Sequence, residues 1–312
     1  MERSTAASDG GRAPVMVTGG SGFIGRHIVA RLVEGGRQAL TYDRDPVAPQ
    51  DGLITVHGEL HDIPRMIRTI EEHGVREIIH TAGISDPDVS LEMPVTTFFA
   101  NAMGTVNLLE AARLTGIEKV VNFSSSSVFG HQPEGVREDV KLEPVTPYGV
   151  SKLAAEKLGK VYSEIYDLDV TALRVTWVYG PGNKMPETVN QLIRAALDGK
   201  PYVRDEGADH PMPMVYVDDV ASATWCALNS VRPPLPAYTI TGPDRLDLGG
   251  LAEAVLAQLP GGDIRIGNGD LHLHRLGPID TSATEADLGF RPDWGIERGI
   301  RTYVAWLQKN PF

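Results

Sequence analysis

The sequence has a single cysteine, Cys226, among 312 residues, so the chain cannot form an internal disulfide bond. Nothing near the N-terminus has the basic stretch followed by an apolar core that a secretory signal peptide needs. We therefore expect a cytoplasmic protein of the reducing cytosol. No apolar run approaches the roughly 18 residues that span a bilayer, so no membrane association is expected either.

Clusters of lysine and arginine are also missing. The formal net charge is −12, from 29 basic and 41 acidic side chains. The long-range field of such a chain repels phosphate backbones, so nucleic acid is not an expected partner, and an anionic ligand would need a local basic or amide-rich pocket. Hydrophobic residues make up 42% of the chain, which is enough for the core of a full-sized α/β domain.

Short apolar runs alternate with longer amphipathic stretches through the first half of the chain. The pattern predicts strands at 14–19, 38–43, 53–58, 76–83 and 119–125, and helices at 23–33, 62–73 and 96–115. Strand, helix, strand in this rhythm indicates parallel strands joined by right-handed crossovers. The predicted fold class is therefore α/β, with a doubly wound parallel sheet.

A glycine-rich stretch, TGGSGFIG, follows the first predicted strand and opens the first helix, with Gly19, Gly22 and Gly25 at its spaced positions. Glycines there permit a tight turn, close approach of the backbone to a pyrophosphate, and close packing of helix on strand, although such a turn can also be purely steric. Asp43 ends the second strand, where an acid accepts hydrogen bonds from the adenosine ribose hydroxyls. Its carboxylate would repel a 2′-phosphate, so we predict NAD rather than NADP, a preference that Arg44 weakens.

The alternation breaks after about residue 174, where proline-rich stretches separate short helices. We predict a nucleotide-binding domain over 13–174 and a smaller, mainly substrate-binding lobe over 175–312. This lobe is expected to interleave with the last strands and helices of the first domain. Residues 1–12 are small and polar and are predicted to form a flexible tail.

In TPYGVSKLAAEKLGKVY, Tyr148 and Lys152 lie four residues apart, which places both side chains on one face of a predicted helix. A tyrosine phenol has a pKa of about 10, and a neighbouring ammonium stabilises the phenolate and lowers that pKa. A serine hydroxyl from FSSSSVFG, at the end of a neighbouring strand, could hold a substrate oxygen. Serine, tyrosine and lysine together form a proton relay suited to hydride transfer at a secondary alcohol, although the spacing alone also fits a surface pair.

These motifs resemble those of the extended short-chain dehydrogenases/reductases, the group that contains the sugar-nucleotide epimerases and dehydratases. They follow the family's order over nearly the whole chain: TGGSGFIG, HTAG, NAMGTVNLLEAA, FSSSSVFG, YGVSK, LRVTWVYGPG, VYVDDVA and DLGFRP. The resemblance implies a Rossmann-type sheet, bound NAD, Tyr148 as general acid/base, and Lys152 holding the nicotinamide ribose. The family's third catalytic partner lies three residues before the valine of the Val-aromatic-Gly signature, which selects Ser125.

The resemblance also implies the residues that line the two binding sites. For NAD these are Gly19, Gly22, Phe23, Ile24, Gly25, Asp43, Arg44, Glu59, Leu60, Thr81, Ala82, Gly83, Asn101, Ser124, Tyr148, Lys152 and Val178. For the substrate they are Ser85, Ser125, Ser126, Trp177 and Met212. A homodimer, formed through the helices at 96–115 and 147–166, is common in the family and is expected here.

Two departures from the family pattern bear on the chemistry. Dehydratase members carry Asp-Glu after the selected serine, whereas this chain has Ser126 and Ser127, so elimination of water is not expected. Members that act on nucleotide sugars usually have asparagine at the place of Trp177 and arginine at the place of Met212, and both groups hold the diphosphate. We therefore predict an apolar wall that Met214 completes. The alternative is that a cation in a shifted position takes over the phosphate: Arg204, His210 or Arg275.

Other polar residues receive structural interpretations. No metal site is expected, because His272 and His274 have no clustered acids or cysteines and are interpreted as a solvated strand face. His80, in HTAG, is interpreted as structural. The carboxylates in VYVDDVA, Asp218 and Asp219, are interpreted as caps of a helix N-terminus.

The predicted function is hydride transfer between NAD and a secondary alcohol or ketone of a sugar-like or small polar substrate. An epimerase would run the same first half-reaction, rotate the ketone and return the hydride to the other face. A nucleotide-sugar 4-epimerase with tightly bound NAD is therefore the first alternative. A non-catalytic NAD-sensing regulator is the second, and the presence of both Tyr148 and Lys152 disfavours it.

Overall fold

The computed structural model describes residues 12–45, 47–48, 50–271 and 274–310. The strands are β1 Val15–Thr18, β2 Ala39–Asp43, β3 Leu53–His57, β4 Glu77–His80, β5 Lys119–Ser125, β6 Asp169–Val175, β7 Trp177–Tyr179, β8 Tyr202–Arg204, β9 Met214–Tyr216, β10 Ala237–Ile240 and β11 Ile264–Ile266. The helices are α1 Phe23–Glu34, α2 Ile63–His73, α3 Pro87–Glu92, α4 Pro94–Phe98, α5 Gly104–Thr115, α6 Pro147–Tyr166, α7 Thr188–Asp198, α8 Val217–Asn229, α9 Leu248–Gln258, α10 Ser282–Leu288 and α11 Ile296–Lys309.

Seven strands form one sheet in the order β10-β6-β5-β4-β1-β2-β3, and every neighbouring pair is parallel. From β1 the chain adds β2 and β3 on one side, then crosses back and adds β4, β5 and β6 on the other. A crevice opens outside the carboxyl ends of the strands where this direction reverses, between β1 and β4. The predicted Rossmann-type doubly wound sheet is confirmed.

Helices cover both faces of the sheet because alternate residues of each buried strand point to opposite sides. In β1, Val15 and Val17 pack into a core with Ile28 of α1 and Val220 of α8. Met16, between them, packs on the other side with Leu108 of α5. The near-continuous apolar runs of the sequence follow from this double burial.

The helix predicted at 96–115 is interrupted. α4 ends at Phe98, residues Phe99–Met103 form one π-helical turn, and α5 continues from Gly104. The strand predicted at 76–83 stops at His80, since the chain turns away through Gly83, whose φ is +155°. For these two segments the predicted type of element was right, whereas the predicted end of the strand and the continuity of the helix were wrong.

Beyond β6 the chain builds two small parallel pairs, β7 with β9 and β8 with β11, around a core contributed by α7, α9 and α11. β10 then returns to the edge of the main sheet beside β6. The predicted division into 13–174 and 175–312 stays a prediction, and residues 1–11 of the predicted tail lie outside the described residues. Within the part of the chain that is described, no helix is long and apolar enough to cross a membrane.

Candidate active site

The three residues predicted to transfer protons meet at the carboxyl end of β5. Ser125 is the last residue of that strand, and α6 begins nearby with Pro147 in its first turn and Thr146 as its cap, whose hydroxyl accepts from the Gly149 amide at 3.1 Å. The Tyr148 phenol hydrogen-bonds with Ser125. One turn further along α6, Lys152 Nζ lies 5.9 Å from the Tyr148 ring centre.

Burial dominates the electrostatics of this cluster. It raises the pKa of Tyr148, while the hydrogen bond with Ser125 lowers that pKa. It also lowers the pKa of Lys152 to about 8, although the ammonium donates to the Phe123 carbonyl at 2.9 Å. Both effects disfavour charge, so a phenolate at this position needs the lysine cation and the positive charge of an oxidised nicotinamide beside it.

His80 is a buried neutral side chain. Its Nδ1 lies 2.7 Å from the Thr18 hydroxyl, and its Nε2 lies 3.1 Å from that of Thr105. The Thr105 hydroxyl donates to the Asn101 carbonyl, so Nε2 carries the proton and Nδ1 accepts from Thr18. Burial, with the nearby Lys152, lowers the pKa of His80 to about 3. These contacts agree with the structural interpretation.

The glycine loop has the shape that a dinucleotide needs. Gly22 caps α1 without a side-chain hydrogen bond, so the first amides of the helix are left for a ligand. A Cβ on Gly25 would lie 2.1 Å from the Gly19 carbonyl oxygen, and Gly19 itself has a φ of +73°. The Asp43 carboxylate accepts from the Ser21 amide at 3.1 Å, while the buried Ser21 hydroxyl has no protein partner. These residues fit NAD.

Some predicted cofactor residues have their side chains engaged elsewhere. Asn101, in the π-helical turn, bonds both the amide and the carbonyl of Ile84 and donates to the Ser151 hydroxyl at 2.9 Å. Ser124 donates to Glu156 at 3.0 Å. Their contact with NAD stays a prediction. In this structure both side chains bond other protein groups near the site.

The remaining predicted cofactor residues lie in the elements that border the crevice. Thr81 donates its hydroxyl to the Thr18 carbonyl at 2.8 Å, and the Glu59 carbonyl accepts from the Tyr42 hydroxyl at 3.2 Å. Phe23 packs edge-on against His27. The others are Ile24 of α1, Arg44 after β2, Leu60 against Gly104, Ala82 and Gly83 after β4, and Val178 of β7.

The second lobe presents Trp177 from β7, half-buried and stacked on His210 with ring centres 6.4 Å apart. Met212 and Met214 are buried in the lobe's apolar core, at 1% and 6% exposure. On the other side of the crevice, the Ser85 hydroxyl lies 3.7 Å from the sulfur of Met185. Ser126 begins a short 3₁₀ turn directly after Ser125.

Sequence reasoning missed one residue of this lobe, Asp270. Its carboxylate bonds His210 Nδ1 and accepts from Arg275 Nη1 at 2.7 Å. Two of the three residues that could bind a phosphate in place of Met212 therefore form one group beside Trp177. The third, Arg204, lies apart, beside the hydroxyl of Tyr202 at 3.5 Å. No spacing in the sequence links Asp270 to His210, since sixty residues separate them.

Two structural interpretations are corrected. His274 is largely shielded, and burial lowers its pKa, as do His210 and His131; it does not lie on a solvated strand. Its partner in that interpretation, His272, lies outside the described residues. Among the residues that the structure describes, no group of histidine, cysteine and acid side chains could hold a metal.

Asp218 and Asp219 start α8 but do not cap it, because they follow the cap position, which Tyr216 occupies. Asp218 instead pairs with His27 of α1 at 2.7 Å. Asp219 accepts from the amides of Asp293 and Trp294, both at 3.0 Å. The two carboxylates therefore hold α1 and the segment before α11 to the start of α8.

Residues 15–240 match the model of the NAD dependent epimerase/dehydratase family. The chain belongs to this family. The predicted cofactor, NAD, and the predicted reaction class, hydride transfer between NAD and a secondary alcohol or ketone, are thereby confirmed. The alternative of a non-catalytic regulator finds no support.

Relatives within the epimerase/dehydratase family match over almost the full chain. A UDP-glucuronate 4-epimerase of Thermodesulfobacterium geofontis is 26% identical over 95% of this chain and 96% of its own. The UDP-glucose 4-epimerase of Thermus thermophilus, solved with NAD, has a TM-score of 0.84 at 29% identity, over 95% of this chain and 99% of its own. DesIV, a dTDP-glucose 4,6-dehydratase of Streptomyces venezuelae solved with NAD and TYD, has a TM-score of 0.84 at 26% identity, over 95% and 97%.

Proposed function

We propose that this protein is a 4-epimerase of a nucleotide sugar that keeps its NAD through the reaction. The observation that carries the proposal is the buried meeting of Ser125, Tyr148 and Lys152 at the end of β5, in a chain that matches epimerases over 95% of its length. The Arg275 guanidinium, joined to the His210 imidazole through Asp270 beside Trp177, supports a diphosphate in the lobe despite Met212. This proposal favours the predicted alternative over simple oxidation of a small polyol.

In the proposed mechanism Ser125 holds the substrate C4 hydroxyl and Tyr148 removes its proton. Lys152 stabilises the resulting phenolate, which would otherwise be costly in so buried a site. NAD, when bound, supplies the hydride acceptor and later the donor. The ketone then rotates in the lobe so that the opposite face of C4 can receive the hydride. Tyr148 returns the proton to the C4 oxygen, which gives the epimer.

We also infer that the protein does not eliminate water. Ser126 and Ser127 follow the serine of the relay and are buried in a 3₁₀ turn, with the Ser127 amide donating to Ser125 Oγ at 3.1 Å. A hydroxyl neither takes nor gives a proton readily near neutral pH, so neither serine can replace the acid and base of an elimination.

We further infer a homodimer. Apolar side chains project from neighbouring surfaces of α4, the π-helical turn and α6 in the single chain. Those at least 40% exposed are Val95, Phe98, Phe99, Met103, Val150, Val161 and Ile165. A patch of this kind is typical of a protein interface.

Replacing Tyr148 by Phe tests the mechanism. We expect epimerisation to fall by about 10²- to 10⁴-fold, because the general base is lost, while NAD stays bound. The assay follows UDP-glucose, UDP-glucuronate and UDP-N-acetylglucosamine by chromatography and NADH by absorbance. Tyr166→Phe, an exposed tyrosine of the same helix, is the matched control and should keep full activity.

Products other than a 4-epimer would support a different reaction. Net NADH from an alcohol panel, with no 4-epimer from any nucleotide sugar, would favour the dehydrogenase. An unsaturated or deoxy sugar would favour the dehydratase. Full activity of Tyr148→Phe would refute the proposed proton transfer.

A further inference from the structure

Helix α6 reaches the last three residues of β5 through side chains spaced four apart, at Tyr148, Lys152 and Glu156. Tyr148 bonds Ser125, and Lys152 Nζ donates to the Phe123 carbonyl at 2.9 Å. Between these two contacts, Glu156 Oε2 accepts from the Ser124 hydroxyl at 3.0 Å. The proposed mechanism uses the first two side chains and leaves the third unexplained.

Glu156 is held from the other side by Arg174 of β6. The guanidinium Nε lies 3.0 Å from Oε2 and Nη2 lies 2.7 Å from Oε1, so the pair is bidentate. Both side chains are at most 5% exposed. Arg174 is also the register partner of Ser124 across the β5–β6 pair, which closes a ring of three contacts.

Arg174 also connects the Ser124–Glu156–Arg174 contacts to the loop that follows Ser127. Nη1 donates to the carboxylate of Glu138 at 2.9 Å, and that carboxylate accepts from the Thr239 amide of β10 at 2.6 Å. The guanidinium carbon lies 5.2 Å from the centre of the Phe129 ring. One buried network therefore joins α6, β5, β6, β10 and the loop.

A buried ion pair is weak evidence for stability, since the desolvation of both charges offsets much of their attraction. A bidentate pair such as Arg174–Glu156 does, however, fix the distance and the angle between its two side chains. This matters beside Ser125, because a misplacement of about 1 Å at a reacting group can cost about 10² in rate.

We propose that Glu156, held by Arg174, is a positioning residue for proton transfer: it locks the end of β5 against α6 so that Ser125, Tyr148 and Lys152 meet. It touches neither substrate nor cofactor. The inference rests on the proposed roles of these three residues and not on the identity of the sugar.

The test compares Glu156→Gln with Glu77→Gln. Glu77 also forms a buried ion pair, with Arg37, but it starts β4 at the opposite, amino end of the sheet. Both variants should lower the Tm. Only Glu156→Gln should lower kcat, by about tenfold to 10²-fold with little change in KM, because a displaced relay slows chemistry more than binding. An equal loss of kcat in both, or none in Glu156→Gln, would overturn the proposal.

A second readout needs no substrate, so it stays valid if the epimerase proposal fails. The ultraviolet absorbance of tyrosinate gives the Tyr148 titration of the NAD complex, as the difference from the same protein carrying Tyr148→Phe. If Glu156 acted only as a nearby charge, its removal would lower the pKa of Tyr148. Loss of the Lys152 and Ser125 contacts raises it. We expect a raised pKa in Glu156→Gln and an unchanged one in Glu77→Gln; a lowered or unchanged pKa in Glu156→Gln contradicts positioning.

Arg174→Lys keeps the buried positive charge and removes the bidentate pairing with Glu156, so it is the alternative test if Glu156→Gln does not fold. Like Glu156→Gln, it should raise the pKa of Tyr148, and it should reduce kcat less than Glu156→Gln does. Wild-type values for both quantities in Arg174→Lys would overturn the proposal.

Discussion

At the scale of single residues, Lys152 illustrates a conflict between function and stability. The folded chain lowers the pKa of this ammonium from 10.5 to about 8 by burial. Below pH 8 the folded protein must therefore keep a charge that its surroundings disfavour, and each tenfold loss of proton affinity corresponds to about 1.4 kcal/mol. Replacing Lys152 by Met removes that charge and the hydrogen bond to Phe123. We expect the free energy of unfolding of Lys152→Met, at pH 7 without NAD, to exceed that of the wild type by roughly 2 kcal/mol.

The pH dependence gives the prediction its sign. Between about pH 8 and 10.5 the unfolded chain binds the Lys152 proton and the folded chain does not, so wild-type stability rises with pH through this window. The advantage of Lys152→Met should shrink accordingly when urea unfolding is repeated at pH 10. Lys160→Met, at a half-exposed lysine of the same helix, should show neither effect. A destabilised Lys152→Met at pH 7 would mean that the hydrogen bond outweighs the buried charge.

The sequence allowed prediction of the residues whose geometry lies within one motif. Tyr148 and Lys152 share a helix face because of their spacing, and the family resemblance selected Ser125, three residues before Val128 of the Val-aromatic-Gly signature. Asp270 could not be found in this way, since its meeting with His210 depends on two loops folding together. The partners of Glu156 escaped for the same reason.

At the scale of elements, the interrupted helix after α4 shows what periodicity omits. Apolar spacing predicts a helix through 96–115, but the π-helical turn at Phe99–Met103 carries an extra residue per turn that no hydrophobic pattern records. That turn places Asn101 where its amide holds Ile84 and Ser151. The strand-helix order was predictable because burial dictates it, whereas a local change of helix type depends on contacts from other segments.

The β1–α1 turn yields a prediction of its own. A methyl group on Gly25 would lie 2.1 Å from the Gly19 carbonyl oxygen and 2.8 Å from the Cα of Gly20, so the backbone itself would have to move. We expect Gly25→Ala to lose about 1–3 kcal/mol of stability and to bind NAD more weakly. Gly261→Ala is the control, because no atom lies within 4 Å of its added carbon. Calorimetry gives both quantities, and a Gly25→Ala protein with unchanged NAD affinity would show that the loop has room to shift.

At the scale of the whole molecule, the main sheet and the second core built after β6 contribute different parts of the proposed site. The carboxyl edge of the sheet carries Ser125 and the glycine loop, and the segments around the second core carry Trp177 and the His210–Asp270–Arg275 group. The loop after the serine run joins them, since Val136 bridges to Ile279 and Gln132 to Leu276. Substrate specificity can therefore change in the lobe while the relay on the sheet stays the same.

The surface of the whole molecule carries the last prediction. Val95 is 80% exposed and Phe99 is 56% exposed, in a patch of apolar side chains of the kind that marks protein interfaces. We expect sedimentation to give twice the 33.8 kDa mass of the chain, and Val95→Glu with Phe99→Glu to give the monomer, because carboxylates buried at an interface would be desolvated without partners. Val231→Glu changes an equally apolar, 96% exposed residue outside the patch and should remain a dimer. A monomeric wild type, or a double variant that stays dimeric, would show that this surface does not pair two copies of the chain.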